Sequence, residues 1–472
     1  MSSEEVQISC KFVTRLPEQY RIAPTPIAVP GKLTRYGLSE VINHLLNLDP
    51  PKPFDFLVQG ELVRTSLEKL VVRKAISVES ALEVEYIPAV APPSEEATGK
   101  HEDWVSAVDG SWGAAVATGC YDGTARLWTP GGAQMIKLSP PDLRDGVTPA
   151  PVTTVCLLPP APDSQAGSTG CIVVAGGHDG VVRSWGVEVD AKRGVAKEIA
   201  NQSSLFVGHE GAVKCVAAAP GGERVASCGH DHTVRVWHRD AGFAFDKTAD
   251  VTAGRKTKKS QGKRRKGDDG DDAETPARFL VPGVDELPPP PEHLAPLEKE
   301  LVFTGHTDSV SAVAWESVNV VWSGGFDHAL KSWDVQTQKN TQSYDVPKAI
   351  MGMACVAGGG RVAWCGGGDK AVHMWDPRVG ATTGATTSLM SHTGMVVSVR
   401  WCPGDEHKLV SCSYDGTVKL WDTRGKLPLH TVKAHEGERA MGCDFHGPRR
   451  IVSGGTDGRL RLFKLEDSLT AT

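Results

Sequence analysis

Histidine, serine, aspartate and tryptophan recur as a set at three places along the chain. Within each set the serine precedes the aspartate by four residues and the tryptophan by ten. Serine, histidine and aspartate side chains can form the triad of a hydrolase. An enzyme needs one triad, however, whereas this set is repeated, and repetition favours a structural role. The sets are His209, Ser227, Asp231 and Trp237; His306, Ser323, Asp327 and Trp333; and His392, Ser411, Asp415 and Trp421.

Each set belongs to a longer repeated segment. The stretches "VASCGHDHTVRVW", "VWSGGFDHALKSW" and "LVSCSYDGTVKLW" each predict an apolar strand, a tight turn around the aspartate and a second strand that ends at an aromatic residue. Four other segments follow the same pattern. Apart from one interval of 96 residues, the closing aromatics are 42 to 57 residues apart, a period typical of propeller blades. They are Trp128, Trp185, Trp237, Trp333, Trp375, Trp421 and Phe463.

This pattern resembles the WD-repeat family over about residues 101–466. Seven units imply a seven-bladed β-propeller, so the expected fold class is mainly β. Stacking blades radially buries the faces of sheets that are too small to be stable alone. In this family the recurring set is a buried hydrogen-bond network, and the resemblance therefore implies that the tetrads are structural.

Four units depart from the full set. The first unit has threonine in place of serine, in His101, Thr118, Asp122 and Trp128. Units two and five lack the histidine and carry Ala175 and Cys365 at the serine position. The seventh unit ends in Phe463, so it lacks the indole N–H that a tryptophan donates.

Residues 1–88 contain no such unit and predict a small α+β domain that precedes the propeller. "VQISCKFVT" predicts a strand, "GLSEVINHLLNL" a helix, and "FDFLVQGELVR" two strands joined at Gly60. A short helix in "LEKLVVRKA" and a strand in "ALEVEY" complete the order of a ubiquitin-like fold. Residues 89–100 are interpreted as a linker. The residues expected on the apolar faces are Val6, Ile8, Cys10 and Phe12 in the first strand, and Leu38, Val41, Ile42, Leu45 and Leu46 in the helix.

The composition is that of a globular protein, with 40% hydrophobic and 23% charged residues and a net charge of −6. No apolar run approaches the roughly 20 residues that a bilayer crossing needs, and the first ten residues do not resemble a signal peptide. Eleven dispersed cysteines without a C-x-x-C pair indicate a reducing, intracellular compartment without structural zinc. No glycine-rich loop ends in Gly-Lys-Ser/Thr, and we expect no cofactor.

A charged insertion, residues 239–298, separates the third and fourth units. Its glycine, proline, lysine and aspartate content predicts disorder. Two basic clusters on either side of "SQG" predict a nuclear import signal. The alternatives are a solvated linker and an arm that contacts RNA phosphates, and RNA contact is compatible with import. The basic residues are Arg255, Lys256, Lys258, Lys259, Lys263, Arg264, Arg265 and Lys266.

The stretches "RYGLSEVINHLL", "PFDFLVQGELVRTSL" and "EVEY", followed by "EDWVSAV", are similar to the WD-repeat subunits of the PeBoW ribosome-assembly complex. The resemblance implies a non-catalytic assembly factor for the large ribosomal subunit, required for maturation of its rRNA precursor in the nucleolus and nucleoplasm. It implies a propeller that binds the block-of-proliferation protein, together with pescadillo, on pre-ribosomal particles. It implies neither a membrane partner nor a small-molecule substrate.

The same resemblance implies a role for Glu79, in the loop before the last strand of the front domain. In the family, the acidic residue at this place is offered to the metal-ion-dependent adhesion site of midasin, an AAA+ ATPase that removes the complex from the particle. A Mg²⁺ that its own domain ligates incompletely accepts a carboxylate to complete its octahedron. The chain would then bind no metal of its own. Without the resemblance, Glu79 is interpreted as a solvated surface residue.

Two other functions and one structural question stay open at this point. Notchless-like assembly factors have the same front domain but carry more repeats, and propellers also serve as substrate receptors of ubiquitin ligases. The seventh unit ends without a fourth strand, and a short pairing by residues 87–91 is the favoured way to close the ring. The segment "KELVFTG" is expected to supply the outer strand of the third blade after the insertion.

Overall fold

The computed structural model describes most of the chain as strands, which confirms the mainly β class. These strands form a five-stranded N-terminal sheet and seven further sheets. The described residues are 6–77, 80–140, 148–159, 170–240, 243–244, 300–356, 358–376, 387–467 and 469.

The N-terminal domain combines one mixed sheet with two helices, as the sequence predicts. The strand order is β2-β1-β5-β3-β4, in which β1 and β5 are parallel and the other neighbours are antiparallel. A 3-10 turn, Glu18–Tyr20, follows the first strand. The elements are β1 (Gln7–Val13), β2 (Ile27–Pro30), α1 (Arg35–Leu46), β3 (Phe54–Val58), β4 (Glu61–Leu62), α2 (Leu67–Lys74) and β5 (Leu82–Pro88).

The core of this domain lies between α1 and the sheet. Alternation along β1 buries Ile8, Cys10 and Phe12, and Leu38 and Ile42 of α1 are buried with them. Two of the predicted core residues are exposed instead. Val6 lies one residue before β1 begins and is 54% exposed. Leu45 lies in the last turn of α1 and is 40% exposed, while its neighbours Val41 and Leu46 pack against the core.

Seven sheets follow, which we number as blades 1 to 7 in chain order. The first three are blade 1, β7 (Val105–Asp109), β8 (Val116–Cys120), β9 (Ala125–Trp128) and β10 (Gln134–Leu138); blade 2, β11 (Val152–Leu158), β12 (Gly170–Gly177), β13 (Val181–Asp190), β14 (Val195–Val207) and β18 (Phe243–Ala244); and blade 3, β15 (Val213–Ala218), β16 (Arg224–Gly229), β17 (Val234–His238) and β19 (Glu300–Phe303).

The last four blades follow without a long insertion. They are blade 4, β20 (Val310–Ser317), β21 (Val320–Gly325), β22 (Ala329–Asp334) and β23 (Lys339–Asp345); blade 5, β24 (Ile350–Cys355), β25 (Val362–Gly366), β26 (Ala371–Trp375) and β27 (Thr387–Met390); blade 6, β28 (Val396–Cys402), β29 (Asp405–Ser413), β30 (Val418–Asp422) and β31 (His430–Val432); and blade 7, β32 (Ala440–Phe445), β33 (Arg450–Gly455), β34 (Arg459–Lys464) and β6 (Ser94–Lys100).

The first strands of successive blades line the centre of a ring. Each of the strands β7, β11, β15, β20, β24, β28 and β32 lies against the next one, and β32 lies against β7. The apolar faces of neighbouring blades are buried against each other, with one aromatic residue of the repeat in most of these layers.

The ring is closed by β6, which pairs antiparallel with β34 from Ser94 to Lys100. The predicted closure by residues 87–91 is wrong, and so is the prediction of a linker over residues 89–100, because Ser94–Lys100 forms the closing strand. Residues 87 and 88 belong to β5 and pair with β3, and the only bridge from residues 87–91 to the described part of blade 7 is an isolated one, between Val90 and Asp467. Pro92 and Pro93 lack the N–H that a strand pairing needs, so the ladder begins only after them.

The insertion leaves and re-enters the propeller at its rim. Its first residues form β18, which pairs with the outer strand β14 of blade 2. The chain returns as β19, which pairs with β17 and completes blade 3, so the prediction for "KELVFTG" is confirmed.

Candidate partner-binding surfaces

In blades 3, 4 and 6 the structure brings the four members of each predicted tetrad together. In blade 6 the indole Nε1 of Trp421 donates to the hydroxyl of Ser411 at 2.8 Å. The ring of His392 contacts Ser411 through Nε2 at 2.8 Å and Asp415 through Nδ1 at 3.1 Å. The corresponding distances in blades 3 and 4 are between 2.7 and 2.8 Å.

The tetrads tie the loop that enters a blade to the turn between its second and third strands. The serine hydroxyls are fully buried, so a substrate has no access to them. Burial lowers the pKa of His392 to about 4, which keeps this imidazole neutral. Burial raises the pKa of Asp231, but hydrogen bonds from His209 and Thr233 outweigh it and lower the value to about 2. This combination satisfies buried polar groups and does not resemble an activated nucleophile.

Blade 1 uses its aspartate differently from the sequence expectation. Thr118 accepts a hydrogen bond from Trp128 at 2.8 Å and contacts His101 at 3.1 Å. Asp122, however, binds the guanidinium of Arg126 at 2.7 Å, and among the described residues Nδ1 of His101 has no hydrogen-bond partner. Arg126, two residues before Trp128, therefore takes the carboxylate of Asp122 that would otherwise bind His101. Burial, with Arg126 nearby, lowers the pKa of His101 to about 4.

The remaining blades retain parts of the network. In blade 7, His435 still contacts Asp457 and Ser453, although Phe463 offers no indole. In blade 2, which has Ala175 instead of serine, Trp185 donates to the carbonyl of Ser139 in the neighbouring blade.

Blade 5 departs from the sequence expectation, which placed Cys365 at the position of the tetrad serine. In this blade Val362 pairs with Trp375, a register one residue different from that of the other blades. Cys365 therefore lies on the opposite face of β25 from Trp375 and packs with Ala363 and Val372. Trp364 is the residue that shares a face with Trp375, and among the described residues Nε1 of Trp375 has no hydrogen-bond partner.

An exposed aromatic surface lies at the end of the ring that carries the tetrad histidines and aspartates. Trp104 follows His101 into blade 1 and is 49% exposed, and its ring centroid is 5.6 Å from that of Tyr121. Arg439 lies 5.0 Å over the ring of Tyr414, in the entry loop of blade 7. Tyr414 lies in the turn between β29 and β30 of blade 6, and blade 7 lies between it and blade 1, which carries Trp104 and Tyr121. Burial raises the pKa of Tyr414, and the neighbouring Arg439 partly offsets this effect. We call Trp104, Tyr121, Tyr414 and Arg439 the aromatic surface.

Acidic side chains lie around the aromatic surface. Asp103 precedes Trp104, Glu102 is largely exposed, and Glu438 precedes Arg439. Exposed tryptophan, tyrosine and arginine are the residue types that dominate binding energy at protein interfaces. An acidic margin adds a preference for basic partner surfaces. No sequence motif marks this site, because its residues come from different blades.

The N-terminal domain has a second candidate site at the end of the sheet where β5 begins. A cavity of about 390 Å³ is lined by residues that include Leu57, Gln59, Ile76, Ser80 and Glu83. Glu79 lies outside the described residues, between Ser77 and Ser80, which both line this cavity. Of the two other acidic residues nearby, Glu83 is exposed and Glu85 is 3.4 Å from Arg15.

The predicted import and RNA-contact residues, Arg255 to Lys266, also lie outside the described residues. Within the part of the chain that the structure describes, no group of three or more histidine, cysteine, aspartate or glutamate residues is arranged to hold a metal ion. No helix in that part is long and apolar enough to span a membrane.

Comparison with known proteins matches both parts of the chain. Residues 8–71 match the NLE (NUC135) domain, and five segments match the WD domain, G-beta repeat. The WD segments are residues 96–129, 201–238, 297–334, 385–422 and 426–464.

Relatives match over nearly the full length. The Ribosome biogenesis protein WDR12 homolog of Chlamydomonas reinhardtii is 35% identical, over 98% of both chains. The protein of the same name in Oryza sativa is 34% identical over 96% of this chain and 95% of its own, and Ribosome biogenesis protein YTM1 of Meyerozyma guilliermondii is 30% identical over 97% and 96%. These relatives are named for ribosome biogenesis and not for an enzymatic activity. The resemblance to the WD-repeat subunit of PeBoW is thereby confirmed, and the chain belongs to the WDR12/YTM1 family of ribosome biogenesis proteins.

Proposed function

We propose that this protein is a non-catalytic scaffold in assembly of the large ribosomal subunit, required for maturation of the rRNA precursor. The observation that carries the proposal is the full-length match to ribosome biogenesis proteins, which covers the N-terminal domain and the propeller together. In this proposal the protein acts on pre-ribosomal particles in the nucleolus and nucleoplasm. It works through two binding sites, one in each domain.

The propeller site is the aromatic surface, and its partner is the block-of-proliferation protein in complex with pescadillo. One observation supports this choice: among the residues that the structure describes, Trp104 is the only exposed tryptophan. Trp104 and Tyr121 present two aromatic rings, and the guanidinium of Arg439 lies over the ring of Tyr414. The acidic residues around them match a partner surface with basic side chains.

The N-terminal site is the loop that contains Glu79, and its partner is the adhesion-site domain of midasin. Supporting this choice, the flanking residues line an open cavity, and the carboxylate of Glu85 is already near Arg15. Glu79 would complete a Mg²⁺ site held by the partner, so this chain binds no metal alone. The basic residues of the insertion would serve nuclear import, rRNA contact or both.

The test of the proposed function is purification of the tagged protein from growing cells, with identification of the proteins and RNA that accompany it. We expect the block-of-proliferation protein, pescadillo, midasin and precursors of large-subunit rRNA, in fractions that sediment with pre-ribosomes. Co-purification with a cullin adaptor, in fractions free of rRNA precursors, would instead support a ubiquitin-ligase receptor and overturn the proposal.

A further inference from the structure

The N-terminal domain lies directly against blades 6 and 7. The backbone N–H of Leu62 in β4 donates to the carbonyl of Arg424, in the loop after β30, at 3.0 Å. Two hydrogen bonds from the Arg424 guanidinium to Asp422, at 2.9 and 2.7 Å, fix this loop. The side chain of Leu62 is 3% exposed and lies outside the domain's own core. It packs next to Gly425 in the same propeller loop, so the contact between the domains contributes to its burial.

The residues that connect β5 to β6 are held on both sides. The N–H of Ala89 donates to Pro53 in the N-terminal domain at 3.2 Å, and the N–H of Ala91 donates to Glu466 at 2.8 Å. Nε2 of His430 in β31 donates to the carbonyl of Val90 at 2.9 Å. We call the contacts of Leu62, Val90 and Ala91 with the propeller the clamp. It fixes the chain immediately before the ring-closing strand.

Apart from the clamp and its backbone ladder with β34, the closing strand makes few stabilising contacts. Gly99 is the one residue of β6 that is fully buried, and the remaining residues are exposed or half-buried. Its side-chain contacts include two partly exposed ion pairs, Glu96 with Arg450 through hydrogen bonds of 2.7 and 3.1 Å, and Glu95 with Arg461 at 3.2 Å. Pairs that water partly screens contribute about 1 kcal/mol or less each. Because few apolar side chains add to its backbone ladder with β34, we expect β6 to open locally more readily than the strands buried between blades.

The chain leads from β6 straight into the aromatic surface. The N–H of His101 donates to Gly458 of blade 7 at 2.7 Å, directly after the strand ends. Three residues later, the carbonyl of Trp104 accepts from the N–H of Tyr121 at 3.0 Å. The position of Trp104 is therefore set partly by whether β6 is paired with blade 7.

We propose that docking of the N-terminal domain controls the aromatic surface through the closing strand. While the domain is docked, the clamp holds the start of β6, blade 7 keeps its outer strand, and Trp104 stays in place. When the domain is drawn away from the propeller, β6 loses its anchor and opens, and Trp104 moves with it. In this proposal β6 has two states, paired with β34 or open. The docking contact of the N-terminal domain and the aromatic surface both shift the equilibrium between these two states. The consequence for partner binding rests on the proposed function of the aromatic surface.

The test is amide hydrogen exchange on the full-length protein with Leu62→Asp, which places a charge in the interface but not in the domain core. We expect amide exchange in Ser94–Lys100, and at Tyr121, whose N–H donates to the carbonyl of Trp104, to be at least tenfold faster than in the unsubstituted protein. Amides of β1 and β5 should keep their protection, which shows that the domain remains folded. Leu427→Asp is the matched control, because Leu427 lies in the same loop as Arg424 but is 57% exposed.

A second variant, His430→Ala, removes a clamp contact from the propeller side without touching the N-terminal domain. We expect the amide exchange of β6 to become faster in this variant too, but by a smaller factor than with Leu62→Asp. Unchanged exchange in β6 in both variants overturns the inference, as does fast exchange of β6 in the control. The measurement needs no partner protein, so its failure is distinct from failure of the proposed function, which Trp104→Ala tests separately.

Discussion

Replacement of Glu79 by alanine is expected to abolish Mg²⁺-dependent binding of this protein to the adhesion-site domain of midasin. In the proposed complex the carboxylate fills an open position of a partner-held Mg²⁺, and alanine has no oxygen to take its place. Binding should be measured with the purified proteins in Mg²⁺ and again after chelation. We expect at least a hundredfold weaker binding for the variant, and the same loss for the unsubstituted protein without metal.

Glu83→Ala is the matched control, because Glu83 lies in the adjacent strand and is exposed. Its binding should be within threefold of the unsubstituted protein. Glu79→Ala should still bind the block-of-proliferation protein, so it would enter pre-ribosomes and fail to leave, and overproduction should be dominant and harmful. Normal affinity of Glu79→Ala in Mg²⁺, or binding that persists without metal, would end this assignment.

Replacement of Trp104 by alanine is expected to weaken binding to the block-of-proliferation protein by about 30-fold or more. An exposed tryptophan that becomes buried at the centre of an interface typically contributes 2 kcal/mol or more. Since Trp104 is half exposed and contacts Tyr121 within the chain, its loss should lower the stability of the propeller by about 1 kcal/mol, too little to unfold it. Affinity is measured by titration calorimetry and stability by urea unfolding of the same samples.

Phe326→Ala provides the control for this experiment. Phe326 precedes the tetrad aspartate of blade 4 in the same way that Tyr121 and Tyr414 precede theirs, and it is 39% exposed. It lies outside the aromatic surface, and we expect a change in affinity of less than threefold. Equal losses for the two variants would show that binding uses the whole end of the propeller. No loss for Trp104→Ala would place the partner on another surface.

The propeller could be predicted from sequence because its signals are local and repeated. A serine ten residues before a tryptophan spans one hairpin, so antiparallel pairing alone brings Ser411 and Trp421 together. The N-terminal elements were predictable for a similar reason, since the alternation of Ile8, Cys10 and Phe12 marks a strand with one buried face. Errors in this domain were limited to the ends of elements, at Val6 and Leu45.

The sequence by itself determined the repeat units, the tetrads and the ubiquitin-like order of the front domain, because periodic side-chain patterns encode them. Only the tertiary structure decided which strand closes the ring, which carboxylate Arg126 takes in blade 1, and how the aromatic surface is assembled. The closing strand is held by backbone hydrogen bonds to a segment more than 350 residues away, and any non-proline residue can make them. A polar edge strand such as "SEEATGK" therefore carries no side-chain pattern that identifies its partner. The same holds for the aromatic surface, whose residues are neighbours only because the ring brings blade 7 against blade 1.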